Sequence, residues 1–413
     1  MQYVIIGGSA AGMSAANAIR ELDGSGSVII LTDENSKPYF RPMLPLVISG
    51  KKKAQDLNLS GFGPYTAPDL DIRTNSRVNK VDTVNQTVTI QNGEELPYDR
   101  LLIATGGRPS IPPGIEGIGA KGVFSLRFLK DAEEMAQRAK SAAKTVMLGA
   151  GLVNLKAALA LNEIGVGVTL IEQENEILPR LMEPDAGALI HQALSDAGIN
   201  LITGSTITRI IADAGEVTGV LLADGRELSC GMVCINTGVQ PNVEFLKDSG
   251  LTMNGGIVID NYMRSNVSNV FAAGDVADTN NPITGERVVT GQWTNAVEMG
   301  RCAGRNMAEK SAEYPGAFNI LNATQVGEVP FVSMGMVHTA GTDYETRVRS
   351  DSKSYHKLVF TADGSTLIGA LFIGDISHAG LYRYLIREGS PATKIKQEII
   401  SHRLHYGHIL KNS

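Results

Sequence analysis

The sequence predicts an α/β chain made of two Rossmann-like dinucleotide-binding domains and a C-terminal α+β domain. Three observations predict it. A strand, a glycine turn and a helical run open the chain as YVIIGGSAAGMSAANAIREL. The same unit returns near residue 145 as TVMLGAGLVNLKAALALNEIG. Each is followed about 20 residues on, at the spacing of a nucleotide-binding βαβ unit, by a strand ending in an acid, SVIILTDE and VGVTLIEQ. That self-similarity is an internal duplication. After EYPGAF, residues 313–318, the pattern changes to the strands PFVSMGMV, SYHKLVF and LIGALFIG and then two helical stretches.

The bulk properties fit several packed cores. The chain has 413 residues, 43% of them hydrophobic and 19% charged, which places it among multi-domain globular proteins. A net charge of -6 provides no basic field for a phosphate backbone, so nucleic acid is not an expected partner. The three cysteines, Cys230, Cys234 and Cys302, form no CxxC pair and no metal-ligand spacing. No metal site and no disulfide framework are expected, and a reducing cytoplasm fits. The chain enters a strand straight after Met1, and no apolar run reaches membrane-spanning length, so a protein without a leader or membrane segment is expected.

Proline and glycine cluster in RPSIPPGIEGIG, residues 108–119, which marks a crossing between domains, and a second crossing is placed near residue 250. The expected limits are therefore 1–112 with 252–318 for a discontinuous first domain, 113–251 for the second and 319–413 for the third.

In the first turn, GGSAAG, the chain turns tightly at Gly7 and packs its helix closely at Gly12. Ser9, small enough to stand where the middle glycine usually lies, offers a hydroxyl to a phosphate oxygen. With Ala10 and Ala11 these residues form the N-terminal end of a helix that faces a pyrophosphate. Asp33, at the end of SVIILTD, is placed to accept the ribose hydroxyls of an adenosine.

Two further segments, LLIATGGRP at 101–109 and VFAAGDVAD at 270–278, give the pattern a family. With them the sequence resembles the FAD-dependent pyridine nucleotide oxidoreductases with two dinucleotide-binding domains, over essentially its whole length. The resemblance implies that the first domain binds FAD and the second NAD. It implies that Ala104, Thr105 and Gly106 lie along the first nucleotide and that Asp275, after Gly274, accepts from the ribityl chain. Val78 would meet the adenine through its backbone, Arg127 would lie beside the flavin, and Trp293 would either present backbone to the flavin's pyrimidine edge or simply pack in the core. A helix from about Asn295 would aim its positive end at the reduced flavin.

Two positions separate the branches of the family. Residues 13–60 contain no cysteine, which excludes a redox disulfide on the first helix. Aligning LPLVISG, residues 44–50, with the corresponding run of the single-cysteine branch puts Pro42 at the thiol position. The segment KPYFRPML, residues 37–44, instead resembles the PYxRPxL signature of rubredoxin reductases, nitrite reductase flavin domains and ferredoxin reductases, and it puts Arg41 near the FAD phosphates or adenine. Pro45-Leu46 replaces the usual Ser-Lys.

In the second turn Gly149 and Gly151 keep the bend and the close backbone approach, and Glu172 is the ribose acceptor expected for NAD over NADP. TGVQPN, with Gly238, resembles a glycine loop that closes over the nicotinamide. Asn154, where a third glycine is usual, is expected either to hold the helix off its strand or to point outward. Lys156 stands where many relatives carry a glutamate, either to hold a carboxamide indirectly or to reach out to solvent.

The expected activity is hydride transfer between NAD(H) and FAD, followed by one-electron exchange with a rubredoxin, a ferredoxin or another iron-sulfur partner, with no side chain as catalytic acid or base. Two alternatives stay open: the NAD(H)-coupling flavin subunit of a larger iron-sulfur complex of the 2-oxoacid or aldehyde oxidoreductase type, and a flavoprotein binding module with a degenerate NAD site. A homodimer is also compatible. The run GKKK at 50–53 either docks an acidic carrier or is merely solvated. His402, His405 and His408 have helical spacing but no accompanying ligand, and Gly407 is expected to interrupt their helix. Cys230 and Cys234 read as small buried residues on one face of a strand, and the GD pair at 374–375 reads as a turn.

Overall fold

The computed structural model describes residues 1–59, 69–316, 321–339 and 343–412; the expected limit at 318/319 lies outside the described residues. Five strands, in the order 270–272, 100–103, 2–6, 27–31 and 71–73, form one all-parallel sheet. A second all-parallel sheet takes the order 200–202, 167–171, 144–148, 232–235 and 123–124. Four successive residues are buried in each central strand, Tyr3–Ile6 and Thr145–Leu148. That is the pattern of strands covered by helices on both faces.

The duplication runs further than the glycine turns. Each sheet carries a three-stranded antiparallel meander, 78–82, 87–90 and 95–97 on the first and 207–213, 216–222 and 227–229 on the second. The two halves are joined by a ribbon in which Gly107–Pro109 pairs antiparallel with Val239–Pro241. Beyond it, Leu246 and Leu251 already pack in the core of the first sheet.

The helix Trp293–Met307 lies on the helix Ala10–Leu22 at very close range. A side chain at Gly300 would strike the backbone of Ala11, and one at Gly304 the backbone of Ala15. Two glycines one helical turn apart therefore set the spacing of these helices.

The last region is an antiparallel sheet in the order 321–326, 329–335, 367–373, 355–360 and 345–350. Its central strand, Leu367–Ile373, and the neighbouring Tyr355–Phe360 are buried at every position, because both faces are covered. One face packs under Tyr382, Leu385 and Ile399, whereas Phe331, Tyr355 and Leu371 join the core of the second nucleotide-binding half. On the latter side the fully buried Lys357 forms an ion pair with Glu183, the N-cap of helix Pro184–Asp196. Its ammonium also donates to Val337 O at 2.7 Å and Thr339 Oγ1 at 3.2 Å.

On the opposite side the rings of His356 and His402 meet at 4.3 Å between centroids, tilted by 48°. Burial, with the neighbouring His356 and Arg349 charges, pulls the His402 pKa down to about 4. The unfolded chain, with an ordinary value of about 6.5, then binds this proton more readily than the fold does. The contribution is present above that value and fades as pH falls toward 4. In calorimetry the melting temperature is expected to drop between those limits, and His402→Phe to flatten the drop.

The histidine trio is not gathered as the spacing suggested. His402 leaves the helix with φ +53°, and the helix Tyr406–Asn412 continues through Gly407 rather than breaking there. His405 and His408 stack on each other at 3.6 Å. Among the described residues no group of three metal-ligating side chains is assembled, and no helix is long and apolar enough to cross a membrane.

Candidate functional site

The first turn is built by hydrogen bonds that leave Gly7 no alternative. Its N–H donates to Leu31 O at 2.8 Å, and the adjacent Ile6 O accepts from Ala104 N at 2.8 Å. With φ +118°, Gly7 lies so near Ala104 that any side chain would strike its carbonyl. Ser9 is the N-cap of helix Ala10–Leu22 but makes no capping bond, and the first turn of that helix holds no acid. The helix thus presents unsatisfied N–H groups and a positive dipole end. The Ser9 hydroxyl accepts from Arg41 Nε at 3.1 Å.

Arg41 and Arg127 close the turn from the side. Arg41 donates to Arg127 O at 2.9 Å, and Arg127 donates to Gly107 O at 3.0 Å and to Asp275 Oδ2 at 2.9 Å. The Arg127–Asp275 pair is mostly enclosed, with side-chain exposures of 22% and 15%. Asp275 also faces Gly291, just ahead of helix Trp293–Met307. That helix starts two residues earlier than expected, so Trp293 belongs to its first turn and meets Phe40 edge to face at 4.7 Å. Segments far apart in sequence, at 7–12, 41, 104–107, 127 and 274–293, are therefore brought together around the first turn.

Two residues here had no sequence signal assigned to them. Glu34 turns inward to pair with Arg41 and accepts from Tyr39 Oη at 2.7 Å, and the same hydroxyl accepts from Leu129 N at 2.9 Å. Asp33, its neighbour, is exposed. The strand registers explain the difference. Ile6 pairs with Leu31 and Leu148 with Ile171, so the position equivalent to Glu172 is Thr32, and Asp33 stands one residue beyond. Their adjacency within TDENSKPYFR was the available clue. Val78 is buried at the start of its meander, two residues after Ser76, whose N–H donates to Thr32 O at 2.8 Å.

The second turn repeats the first. Gly149 N donates to Ile171 O at 2.8 Å, and with φ +93° a side chain there would come within 2.5 Å of Asn236 O. Gly151 is the N-cap of helix Leu152–Glu163. Glu172 accepts from Ala150 N at 2.8 Å and from Glu174 N at 3.1 Å. Asn154 does not point outward: it is fully buried between helix and strand, and its amide donates to Leu148 O at 2.8 Å and Gly149 O at 2.7 Å, in the place where a side chain at the equivalent Gly12 of the first turn would strike Gly7 O. Those two carbonyls offer acceptors at the depth where a glycine would leave a gap.

TGVQPN is not a free loop, since Val239–Pro241 is a strand of the joining ribbon. Asn242 bonds back to the first turn region, with its N–H on Gly106 O at 2.9 Å and its side chain on Thr105 O at 3.0 Å. Gly238, exposed with φ +143°, precedes that strand. Lys156 is half-buried with no ion partner among the described residues, and burial lowers its pKa. Lys51 of the basic run pairs with Glu163 at 2.6 Å. Cys230 and Cys234 are both buried but enter different cores, because Gly231 separates Cys230 from the strand Met232–Ile235.

The donor set fits a dinucleotide at each turn: helix-end N–H groups, two guanidinium groups and a carboxylate at the first, helix-end N–H groups and Glu172 at the second. At the first turn Gly7 and Gly12 keep the space against the strand free of side chains; at the second, Asn154 fills it.

The relatives agree with this geometry. Over 408 residues the chain is 29% identical to the NADH-dependent phenylglyoxylate dehydrogenase subunit epsilon of Aromatoleum evansii, covering 98% of this chain and 96% of that protein. It is 28% identical to a rubredoxin-NAD(+) reductase of Pseudomonas putida, covering 76% of this chain and 82% of that one. Among solved structures, an NAD-dependent persulfide reductase from A. fulgidus superposes with a TM-score of 0.89 at 28% identity, over 96% of this chain and 78% of that one. The family model for pyridine nucleotide-disulphide oxidoreductases matches residues 1–300, and with the two glycine turns and the enclosed Arg127–Asp275 pair this makes the chain a member of the pyridine nucleotide-disulphide oxidoreductase family.

Proposed function

We propose that the chain is an NADH-dependent FAD oxidoreductase that passes electrons to a rubredoxin, ferredoxin or other iron-sulfur partner. The observation that carries this reading is a pair of glycine turns with donor sets suited to dinucleotides and no sulfur relay beside them. Residues 13–60 contain no cysteine, and burial pushes the thiols of Cys230 up to about 11 and of Cys234 and Cys302 up to about 12. Such thiols are protonated and enclosed at neutral pH and are poor nucleophiles. Electrons leaving the cleft then need an external acceptor.

When bound, FAD and NAD(H) supply hydride exchange with each other and single-electron exchange with the acceptor. The protein supplies position and field. In this reading residues 1–112 with 252–318 form the FAD-binding domain, 113–251 the NAD-binding domain and 319–413 the interface domain. The first turn, with the guanidinium groups of Arg41 and Arg127, offsets phosphate charge. Asp275 holds a sugar hydroxyl. Asp33, Val78, Ala104, Thr105, Gly106, Gly274 and Trp293 border the same cofactor, and Gly149, Gly151, Glu172 and Gly238 hold the nicotinamide nucleotide. Buried, unpaired thiols also suit a reducing cytoplasm, where we place the protein.

Anaerobic NADH is expected to bleach the flavin's visible absorption, and an oxidised rubredoxin or ferredoxin to restore it; a flavin that keeps its colour under excess NADH overturns the proposal. Removing the Glu172 carboxylate takes away both its contact with Ala150 N and its repulsion of a 2'-phosphate. Glu172→Ala is expected to shift the NADH to NADPH ratio of kcat/KM by about tenfold or more toward NADPH, the size of one charge-assisted hydrogen bond, which parallel steady-state assays measure.

The subunit reading is favoured by one observation, the match along nearly the full length of both chains to a relative that is itself a dehydrogenase subunit. Affinity purification from the native host distinguishes the two: a stoichiometric large iron-sulfur partner assigns this chain to a complex, and isolation of an active single chain assigns it to a free reductase.

A further inference from the structure

Asn154 does more than fill a gap. Both protons of its amide nitrogen are engaged by the carbonyls of Leu148 and Gly149, and its oxygen accepts from Asn236 Nδ2 at 2.6 Å. Asn236 stands at the end of strand Met232–Ile235. Its second amide proton meets Cys234 Sγ at 3.2 Å, and its oxygen accepts from Leu126 N at 3.1 Å. The residue after Leu126 is Arg127, whose guanidinium holds Asp275 and whose carbonyl is held by Arg41. A series of hydrogen bonds thus runs from the second glycine turn to Leu126 N, one residue before the arginine of the ion pair at the first.

The polarity of this series is fixed. Turning Asn236 over would set its NH2 against Leu126 N–H and its oxygen against Asn154 Oδ1, and turning Asn154 over would set its NH2 against that of Asn236 and its oxygen against the two turn carbonyls. Two carboxamides with every donor used, one of them fully buried, have a single arrangement, and in a low-dielectric interior each bond lost is costly. The two carboxamides thus connect the Gly149 carbonyl to Leu126 N by a fixed set of contacts.

We propose that Asn154 is a positioning residue: it braces the second glycine turn from beneath and, through Asn236, couples nucleotide binding there to the Arg127–Asp275 pair at the first turn. This rests on reading the second turn as the NAD(H) site. The coupling is reciprocal, so a perturbed first site also changes affinity at the second.

The test uses the FAD-loaded protein and NAD+, which binds without reducing the flavin. In the wild type, NAD+ is expected to bind and to perturb the flavin's visible spectrum. In Asn154→Gly, which restores the commoner residue and removes both bonds to the turn, NAD+ binding is expected to weaken by about tenfold or more, and the flavin perturbation at saturation is expected to vanish while FAD content is kept. Asn236→Ala leaves both bonds from Asn154 to the turn in place; it is expected to retain NAD+ binding and lose the flavin perturbation, and it serves where Asn154→Gly fails to fold. Wild-type affinity together with a wild-type flavin perturbation in either variant overturns the proposal. A wild-type protein that takes up FAD but binds no NAD+ overturns the reading of the turn, and the coupling with it.

Discussion

Gly7→Ala is expected to yield protein that purifies without FAD and melts well below the wild type. Two costs fall on the same atom. The backbone at φ +118° is one that an alanine rarely adopts, worth roughly 1–3 kcal/mol of strain. The added methyl would also strike the Ala104 carbonyl, and overpacking against backbone costs about another 1–3 kcal/mol. Because Ile6 O and Ala104 N are bonded to each other, the turn cannot retreat without opening the parallel pair between the strands 2–6 and 100–103. The flavin-to-protein absorbance ratio and the calorimetric melt report both consequences. Near wild-type values in Gly7→Ala would mean that the turn has freedom these hydrogen bonds deny it.

Glu183→Ala is expected to be the most damaging change far from the cleft. Lys357 is fully buried, and removing its carboxylate partner leaves a positive charge inside the protein. The expected loss is roughly 3 kcal/mol, the low end for orphaning a buried charge, because Val337 O and Thr339 Oγ1 still accept from the ammonium. Changing both residues, as in Glu183→Leu with Lys357→Met, is expected to recover most of the loss. The pH dependence has a definite sign. Burial alone would raise the Glu183 pKa, but hydrogen bonds from Lys357 and Tyr355 outweigh it and hold the carboxyl below its ordinary value. Its contribution is therefore complete above the unfolded value of about 4.3 and is lost as pH falls through the lower folded one. Calorimetric melts across that range, with and without the substitution, measure it.

What could be read from the sequence was what depends on neighbours in the chain. The glycine turns, their strands and helices, and the family that they indicate are written in contiguous segments, since tight turns need glycine at fixed positions and buried parallel strands read as apolar runs. The meanders at 78–97 and 207–229 were not legible, because short half-exposed strands such as Glu95–Pro97 and Glu227–Ser229 carry too little pattern to stand out. The inward turn of Glu34 depends on Arg41 and Tyr39 arriving from the next segment, and the role of Asn154 depends on Asn236, 82 residues away. Nothing within SYHKLVF marks Lys357 as a buried cation; only packing of the last sheet on the helix Pro184–Asp196 puts a carboxylate over it.

The pairing of strand 270–272 with strand 100–103 has a consequence for how the molecule comes into being. During synthesis the outer edge of strand 100–103 stays open until the whole intervening half has left the ribosome. That half begins and ends beside itself, zipped where Gly107–Pro109 meets Val239–Pro241, so once it has formed, the long excursion is closed at its base and the late strand arrives next to its place. The ribbon thereby shortens the segment that must close for strand 270–272 to meet strand 100–103.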